Sequence, residues 1–351
     1  MKNIKLYITA ALFIALLAAV QALVVPKYMS SSREGALTGE YYANAGDNDV
    51  IFIGDCEVYE NFSPITLWEE YGITSYIRGS AQQTIWQSYY LLEETLSYET
   101  PEVVVFNVLA MKYDTPASTG RPEQREAYNR MTLDTMRWSK SKWDAIRASM
   151  TDDERERESM FTYIFPLLRY HDRWDQLTRE DFVYMFRRDT VSVNGYLMQM
   201  GVVPYADEYV EMPLADYSFG ENSLYYLDKM TDLCREHGIE LVLIKAPSLS
   251  PVWWDKWDEQ ISDYAEENGL MYINMLEHSD EIGIDWNTDT YDAGLHLNVY
   301  GAEKAARWFG AILSDECGVP DRRDDGNIAE KWDEKAKTYY EQKRSLENEE
   351  N

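Results

Sequence analysis

The stretch Val50-Ile51-Phe52-Ile53-Gly54-Asp55-Cys56-Glu57 carries the pattern from which the fold is inferred. Its first four residues are apolar and three of them are β-branched, which predicts a strand buried on both faces. Gly54 allows the backbone to turn where the strand ends. Because α/β proteins bind ligands at the carboxyl ends of their strands, Asp55 and Cys56 fall at a candidate site. The same pattern is typical of a core cysteine beside a turn, and this stretch alone leaves both interpretations open.

The chain after this stretch alternates strand and helix patterns. Apolar runs predict further strands at residues 73–77, 103–108, 239–244 and 270–274. Helical periodicity predicts helices at residues 84–98, 222–237, 254–268 and 299–313, and Ser63 followed by Pro64 predicts the start of a shorter helix. This order predicts an α/β domain at residues 48–318, with a parallel sheet and right-handed crossovers.

The segment from residue 119 to about residue 216 interrupts this alternation. It is rich in Arg, Glu, Trp, Tyr and Met and has no long β-branched run. We therefore predict a mostly helical insertion, with helices near residues 123–150, 153–170 and 178–188, that covers the carboxyl edge of the sheet as a lid. The charged tail at residues 319–351 is expected to be peripheral, with a helix at residues 327–346.

Residues 4–25 form a nearly unbroken apolar run, long enough for a helix that crosses a hydrocarbon core of about 30 Å. The run is either a retained anchor or a cleaved signal peptide, and Val20-Gln21-Ala22 offers a weak cleavage site. Because the apolar residues continue past that site, the anchor at residues 1–27 is favoured. Lys2 and Lys5 then stay inside, so the main domain is expected outside a single-pass cell-membrane helix, after a tether at residues 28–47.

Composition excludes several classes of function. The 351 residues carry a net charge of −29, which makes nucleic acid an unsuitable partner and would also repel anionic lipid headgroups. Eleven Trp and 27 Tyr either fill a core or line grooves for sugars. The three cysteines lack metal-binding spacing, and a disulfide between Cys234 and Cys317 remains open. Neither a metal nor a cofactor is predicted.

Two further places put reactive groups beside predicted strands or helices. Lys245 follows the strand at residues 239–244, where it is either a site residue or a lysine whose amine extends into solvent at a strand end. His296 lies in the loop at residues 288–298, just before the last helix, with Asp289 and Asp292 close in sequence. Among the four histidines it alone falls in an ordered loop between core elements, which makes it the candidate base.

These motifs together resemble the SGNH/GDSL hydrolase superfamily, in particular membrane-anchored extracytoplasmic members that act in acyl transfer. That family has Gly-Asp-Ser after the first strand, a glycine after the second, an asparagine near the third and a late Asp-x-x-His. Here the corresponding residues, in the same order, are Gly54-Asp55-Cys56, Gly79, Asn107, and Asp292 with His296. The resemblance implies a flavodoxin-like, three-layer parallel sheet of the SGNH type.

The resemblance also implies a triad of Cys56, His296 and Asp292, with Gly79 and Asn107 in the oxyanion hole. The chain departs from the family pattern twice, because cysteine replaces serine and Asp292 lies one residue farther from His296 than usual. The acid is therefore Asp292, Asp289 or absent. The implied function is an esterase or O-acyltransferase for an acylated surface glycan or polymer. The alternatives are a degenerate SGNH domain that binds carbohydrate or assists a membrane-bound acyltransferase, and a structural envelope protein with a core cysteine.

Overall fold

A five-stranded parallel sheet forms the centre of the protein. The computed structural model describes residues 2–27, 37–119, 122–188, 191–206 and 212–350. The sheet has the order β2-β1-β3-β4-β5, and every neighbouring pair is parallel. Its strands are β1 (Val50–Gly54), β2 (Ser75–Gly79), β3 (Val103–Asn107), β4 (Glu240–Lys245) and β5 (Met271–Asn274). The predicted α/β fold with a parallel sheet is confirmed.

Successive side chains of a strand point to opposite faces of the sheet. Both faces of this sheet are apolar, and helices cover both of them. Phe52 of β1 packs against Phe62 and Phe309 on one face, whereas its neighbours Ile51 and Ile53 belong to the core on the other face. The helices Cys56–Asn61, Pro64–Tyr71 and Val299–Asp315 contribute to the first core, and Ile85–Thr95, Glu221–His237 and Asp255–Asn268 contribute to the second. A short helix, Ser279–Ile282, follows β5.

The strand order also fixes where a ligand can bind. The chain proceeds from β1 to β2 on one side and then returns to place β3 on the other side of β1. Such a reversal opens a crevice at the carboxyl ends of β1 and β3. Three candidate residues therefore lie at this crevice: Asp55 and Cys56, which follow β1, and Asn107, which is the last residue of β3.

The N-terminal helix Lys2–Val24 is predominantly apolar, with its two lysines, Lys2 and Lys5, near the amino end. Its stretch Ile4–Val24 is long and apolar enough to cross a membrane by length and composition, and almost all of it is exposed. The predicted tether lies partly outside the described residues, at 28–36. From Leu37 onward it is not a tether, because the helix Leu37–Glu40 packs onto the domain and the Glu40 carboxylate accepts hydrogen bonds from Val191 N and Ser192 N.

The insertion consists of short helices in its described part, as expected from its composition. They are Pro122–Leu133, Lys140–Ser149, Asp152–Arg157, Phe161–Ile164, Pro166–Tyr170 and Arg179–Tyr184. Two contacts connect the first of them to the loop that follows β2: Arg125 Nη1 donates to Gln82 O at 3.0 Å, and the Thr132 and Ser80 hydroxyls lie 2.6 Å apart. The insertion thus touches the carboxyl edge at β2, while Lys140–Ser149 packs beside the sheet on Ile85–Thr95.

The charged tail is not peripheral. It forms the 25-residue helix Gly326–Glu350. The Trp332 and Tyr339 side chains of this helix are buried in the first core. The Trp332 ring stacks on Trp68 with centroids 5.5 Å apart. The tail therefore belongs to the α/β domain, because it covers aromatic surface that the helix Pro64–Tyr71 would otherwise expose to water.

Candidate active site

Cys56 and His296 meet at the carboxyl edge of the sheet, although they lie far apart in the chain. Cys56 is the first residue of the helix Cys56–Asn61, and Asp55 caps that helix by accepting a hydrogen bond from Glu57 N at 3.2 Å. The partly buried thiol and the nearly buried imidazole lie close enough for a side-chain hydrogen bond and for each to shift the pKa of the other. The loop before the last helix thus brings His296 to the turn that follows β1.

Asp292 holds the other side of the His296 ring. Its Oδ2 lies 2.7 Å from His296 Nδ1, and its Oδ1 accepts a hydrogen bond from His296 N at 2.8 Å. Since a carboxylate only accepts, the Nδ1 atom carries the proton and Nε2 is left for the thiol. Ala293 and Gly294 both have positive φ, 61° and 89°, and this left-handed turn brings the acid back to the ring across the extra residue in the spacing.

Asp289, the other acid considered, has a different role. Its Oδ2 accepts hydrogen bonds from Lys304 Nζ at 2.6 Å and from Asp285 N at 2.7 Å. These bonds pin the loop to the helix Val299–Asp315. Asp292 is therefore the carboxylate that contacts the imidazole, and Asp289 stabilises the loop that carries it.

A second carboxylate, Glu60, contacts the same imidazole and was not predicted. Glu60 Oε2 lies 3.1 Å from His296 Nδ1 and accepts a hydrogen bond from Tyr291 Oη at 2.9 Å, while Gln199 Nε2 donates to Oε1 at 2.9 Å. The sequence contained a signal for it: Glu60 follows Cys56 by four residues, so one short helix presents both side chains on the same face.

Burial and the two acids set the charge state of this pair. Burial raises the pKa of the Cys56 thiol to about 11, and the neighbouring His296 lowers it only in part. Burial alone would lower the pKa of His296, but the Cys56 sulfur when it is ionised, the Glu60 charge and the hydrogen bond to Asp292 outweigh it and raise that pKa well above its usual range. At neutral pH Cys56 therefore rests as a thiol, and the ring can take its proton only in the neutral form.

Lys245 lies under this site and does not extend into solvent, so the interpretation of a solvent-reaching strand-end lysine is wrong. Its fully buried Nζ lies 3.0 and 3.1 Å from the two oxygens of Glu57 and donates to Ser248 Oγ at 2.9 Å. Ser248 Oγ in turn donates to Glu57 at 2.5 Å. The ion pair compensates two buried charges, which is why a lysine at a strand end can be withdrawn from water.

The two predicted oxyanion residues occupy different environments. Asn107 is fully buried; its Nδ2 donates to Asp55 Oδ1 at 3.2 Å and to Glu57 Oε2 at 2.9 Å. Both N–H groups are thus used by carboxylates, and a substrate oxygen would have to displace one of them. Gly79 ends β2 opposite Gly54, and a Cβ there would lie 3.0 Å from the Tyr59 ring. A side chain at this position would crowd the helix Cys56–Asn61, so glycine favours the close packing of that helix on the sheet.

Asp55 itself is buried beside Glu57. Burial and then the Glu57 charge raise the pKa of Asp55, while Lys112, His296 and Lys245 oppose the rise. Because its side chain accepts from both Glu57 N and Asn107 Nδ2, Asp55 fixes the start of the helix that carries the thiol. It is a positioning residue for Cys56.

Other candidate chemistries find less support in the described residues. Cys56, Cys234 and Cys317 are all free, so the disulfide left open by the sequence is not formed. Among the residues that the structure describes, no group of three or more His, Cys, Asp or Glu side chains could hold a metal ion. No protein-family model and no curated protein sequence matches the chain.

Proposed function

We propose that this protein is an SGNH-like enzyme that cleaves or transfers an acyl group, with Cys56 as nucleophile. The observation that carries the proposal is a chain of two contacts: the Cys56 thiol meets the His296 ring, and the other side of that ring meets Asp292. A nucleophile, a base and a group that orients the base are the parts that covalent acyl transfer requires. The strand order 2-1-3-4-5, with the nucleophile directly after β1, supports an SGNH-type sheet.

The reaction proceeds in two balanced steps. Starting from the neutral ring, His296 Nε2 takes the thiol proton while Cys56 Sγ attacks the ester carbonyl, and collapse of the tetrahedral intermediate gives a thioester as His296 protonates the departing alcohol. Water or an acceptor hydroxyl then attacks the thioester. His296 removes its proton and returns it to the sulfur. Asp292 keeps the Nδ1 proton in place throughout, so that Nε2 faces the reacting atoms.

The carbonyl oxygen needs hydrogen-bond donors in both steps. Backbone N–H groups at Cys56 and Gly79 are the proposed donors. Asn107 joins them if its amide exchanges a carboxylate for the substrate oxygen, since both of its N–H groups are engaged in the free protein. This exchange makes the oxyanion hole dependent on substrate binding.

The proposed setting is the outer face of the cell membrane. The apolar helix Lys2–Val24 serves as an uncleaved anchor, and Lys2 and Lys5 keep its amino end inside. The body then faces the cell surface, where acylated glycans and related polymers are the proposed substrates. A membrane-bound acyltransferase is a proposed partner.

A second candidate is an SGNH-like domain that binds carbohydrate or assists a membrane-bound acyltransferase without covalent catalysis. Two features of the site favour it: the burial that raises the pKa of Cys56 to about 11, so that the thiol stays protonated at neutral pH, and the engagement of both Asn107 N–H groups. Under this alternative the relay is a structural network that orders the loop before the last helix.

Trapping of an acyl-enzyme distinguishes the two. The full-length protein in detergent is mixed with an activated acetyl ester, quenched in acid and analysed by peptide mass spectrometry. We expect an acetyl thioester on Cys56 that is lost in Cys56→Ala and His296→Ala, while Cys56→Ser gives a slower oxygen ester. Cys317→Ala is the matched control, because Cys317 is also free and half-buried. Equal labelling of Cys56 in wild type and His296→Ala would favour the binding domain.

A further inference from the structure

The outer end of the N-terminal helix is embedded in the insertion. Residues 4–19 of this helix are exposed, residues 20–23 are partly buried, and Val24 is fully buried. Two arginines of the insertion bind the last carbonyls of the helix: Arg188 Nη2 donates to Ala22 O at 3.0 Å, and Arg173 Nη1 donates to Val24 O at 2.5 Å. These are the carbonyls that a helix end leaves without intrahelical partners.

The length of this helix sets the height of the insertion relative to a bilayer. Ile4–Val24 has 21 residues and spans about 31 Å at roughly 1.5 Å per residue, which matches a hydrocarbon core of about 30 Å. The exposed residues 4–19 cover only about 24 Å of it. The last turn needed to complete the span is therefore the turn that the insertion surrounds, so the surface around it lies at the lipid boundary.

The surface at that level has the composition of a membrane interface. Phe186, which is 79% exposed, lines a cavity of about 700 Å³ together with Ala18 and Ala22 of the helix. Trp138, 62% exposed, lines a second cavity of about 550 Å³ with Phe165 and Gln21. Trp is enriched where hydrocarbon meets headgroups because its apolar ring carries a polar N–H, and Phe is among the residues that interfacial helices bury at the acyl boundary.

The charge of this part of the chain differs from that of the whole. Residues 122–188 contain thirteen Lys and Arg and thirteen Asp and Glu, whereas the whole chain carries −29. Arg137 and Arg187 line the same cavity as the exposed Phe186. A segment without net charge that presents arginines beside the helix avoids the repulsion that the acidic body would meet at anionic lipids.

We propose that residues 122–188 form a collar that sits in the headgroup layer of the bilayer crossed by the N-terminal helix. Phe186, Phe165 and Trp138 lie at the acyl boundary, and Arg137 and Arg187 meet lipid phosphates. This inference rests on the proposed anchor but not on catalysis. It also assigns the insertion a role besides that of a lid, since its first helix contacts the loop after β2 and so fixes the height of the Cys56 site above the membrane.

Site-specific photocrosslinking tests the collar in the full-length protein. Photoreactive p-benzoyl-phenylalanine replaces Phe186, Phe165, Phe13 or Tyr225 in turn, and each variant is reconstituted into vesicles of phosphatidylglycerol and phosphatidylethanolamine. Phe13 is an exposed residue of the N-terminal helix and reports the anchor. Tyr225 is a matched control, exposed to 53% on the helix Glu221–His237. After illumination, lipid adducts are quantified by mass spectrometry.

We expect lipid adducts at Phe13, Phe186 and Phe165 in yields several-fold above that at Tyr225. Adducts at Phe13 with only background yield at Phe186 and Phe165 would overturn the collar and leave the anchor intact. Background yield at Phe13 would overturn the anchor and the collar with it. Cross-links from Phe186 to a second copy of the chain, in place of lipid, would show that the aromatic surface is a protein interface and would also overturn the proposal.

Discussion

Glu60 lies one helical turn after Cys56, and its carboxylate contacts the same imidazole that hydrogen-bonds the Cys56 thiol. His296 Nδ1 therefore has two carboxylate neighbours, Asp292 at 2.7 Å and Glu60 at 3.1 Å. One acid is enough to orient the ring of a triad. The second adds negative charge beside the thiol, which opposes thiolate formation directly while it favours protonation of the ring.

The first prediction concerns the reactivity of the thiol. Because the pKa of Cys56 is raised to about 11, its thiolate fraction at pH 7.5 is roughly two orders of magnitude below that of a cysteine with an ordinary pKa of about 8.5. Its alkylation rate should increase about tenfold for each pH unit from 7 to 10. The measurement is the rate of iodoacetamide labelling of the Cys56 peptide, with Cys56→Ala as the blank. A rate that levels off below pH 8 would show a preformed thiolate and imidazolium pair.

The two acids should have opposite effects on that rate, which is the second prediction. Glu60→Gln removes a charge that raises the pKa of Cys56, so labelling at pH 8 should be several-fold faster. Asp292→Asn removes a hydrogen bond that raises the pKa of His296. The ring is then less often positively charged and stabilises the Cys56 thiolate less well, so labelling should be slower. Both variants replace a carboxylate by an amide of the same shape, which makes each the control for the other. If Glu60→Gln is labelled at the wild-type rate, the Glu60 charge has no effect on the pKa of Cys56.

Turnover provides the third prediction, again for Asp292. With asparagine at this position only Glu60, 3.1 Å from Nδ1, still holds the proton there, and the ring can adopt the tautomer whose Nε2 carries the proton and cannot accept one from the thiol. If the proposed function is correct, Asp292→Asn should lower turnover of an activated ester by at most about 10³–10⁴-fold, the loss of a triad left without any acid, with little change in substrate affinity. Asp289→Asn serves as the comparison, because Asp289 pairs with Lys304 and does not contact the ring. Similar losses in both variants would point to loop disorder as the common cause.

The sequence predicted the sheet and the encounter of Cys56 with His296 for the same reason. Buried β-branched runs mark parallel strands, and the carboxyl ends of such strands meet at one edge whatever their separation in sequence. The environment of each side chain was harder to predict. Lys245 is withdrawn from water only because Glu57 compensates its charge. The two residues are far apart in the chain, and no sequence pattern indicates that they form a pair.

The packing of the tail was also missed, although its pattern was present. Trp332, Tyr339 and Leu346 are spaced by seven residues, so they share one face of a helix. All three side chains pack on the first core. The high density of charges around them hid this stripe, because composition averages over faces that the helix separates.

The fourth prediction tests the buried ion pair beneath the site. Lys245→Met leaves the Glu57 carboxylate buried without its cation, which should cost about 3–5 kcal/mol of unfolding free energy. The double variant Glu57→Gln with Lys245→Met should recover most of this loss, because no uncompensated charge remains. Urea unfolding of the full chain in detergent measures both. A single variant within about 1 kcal/mol of wild type would mean that water reaches the carboxylate.

The last prediction concerns the C-terminal helix. Trp332 is almost completely buried and stacks on Trp68, so Trp332→Ala removes a large apolar contact and opens a cavity that the surrounding rings cannot fill. The expected loss is about 3–5 kcal/mol of unfolding free energy. Tyr340→Ala on the same helix is the matched control: Tyr340 is 39% exposed, and its hydroxyl donates to Glu69 at the surface.

The control should change the unfolding free energy by less than about 1 kcal/mol, as most surface substitutions do. If the tail were peripheral, as its charge suggests, Trp332→Ala would be equally mild, and the two variants would unfold at the same urea concentration. A large loss in Trp332→Ala alone would instead show that residues 326–350 fold with the sheet. The helix Pro64–Tyr71, which contacts both the tail helix and β2, then depends on the tail for its position.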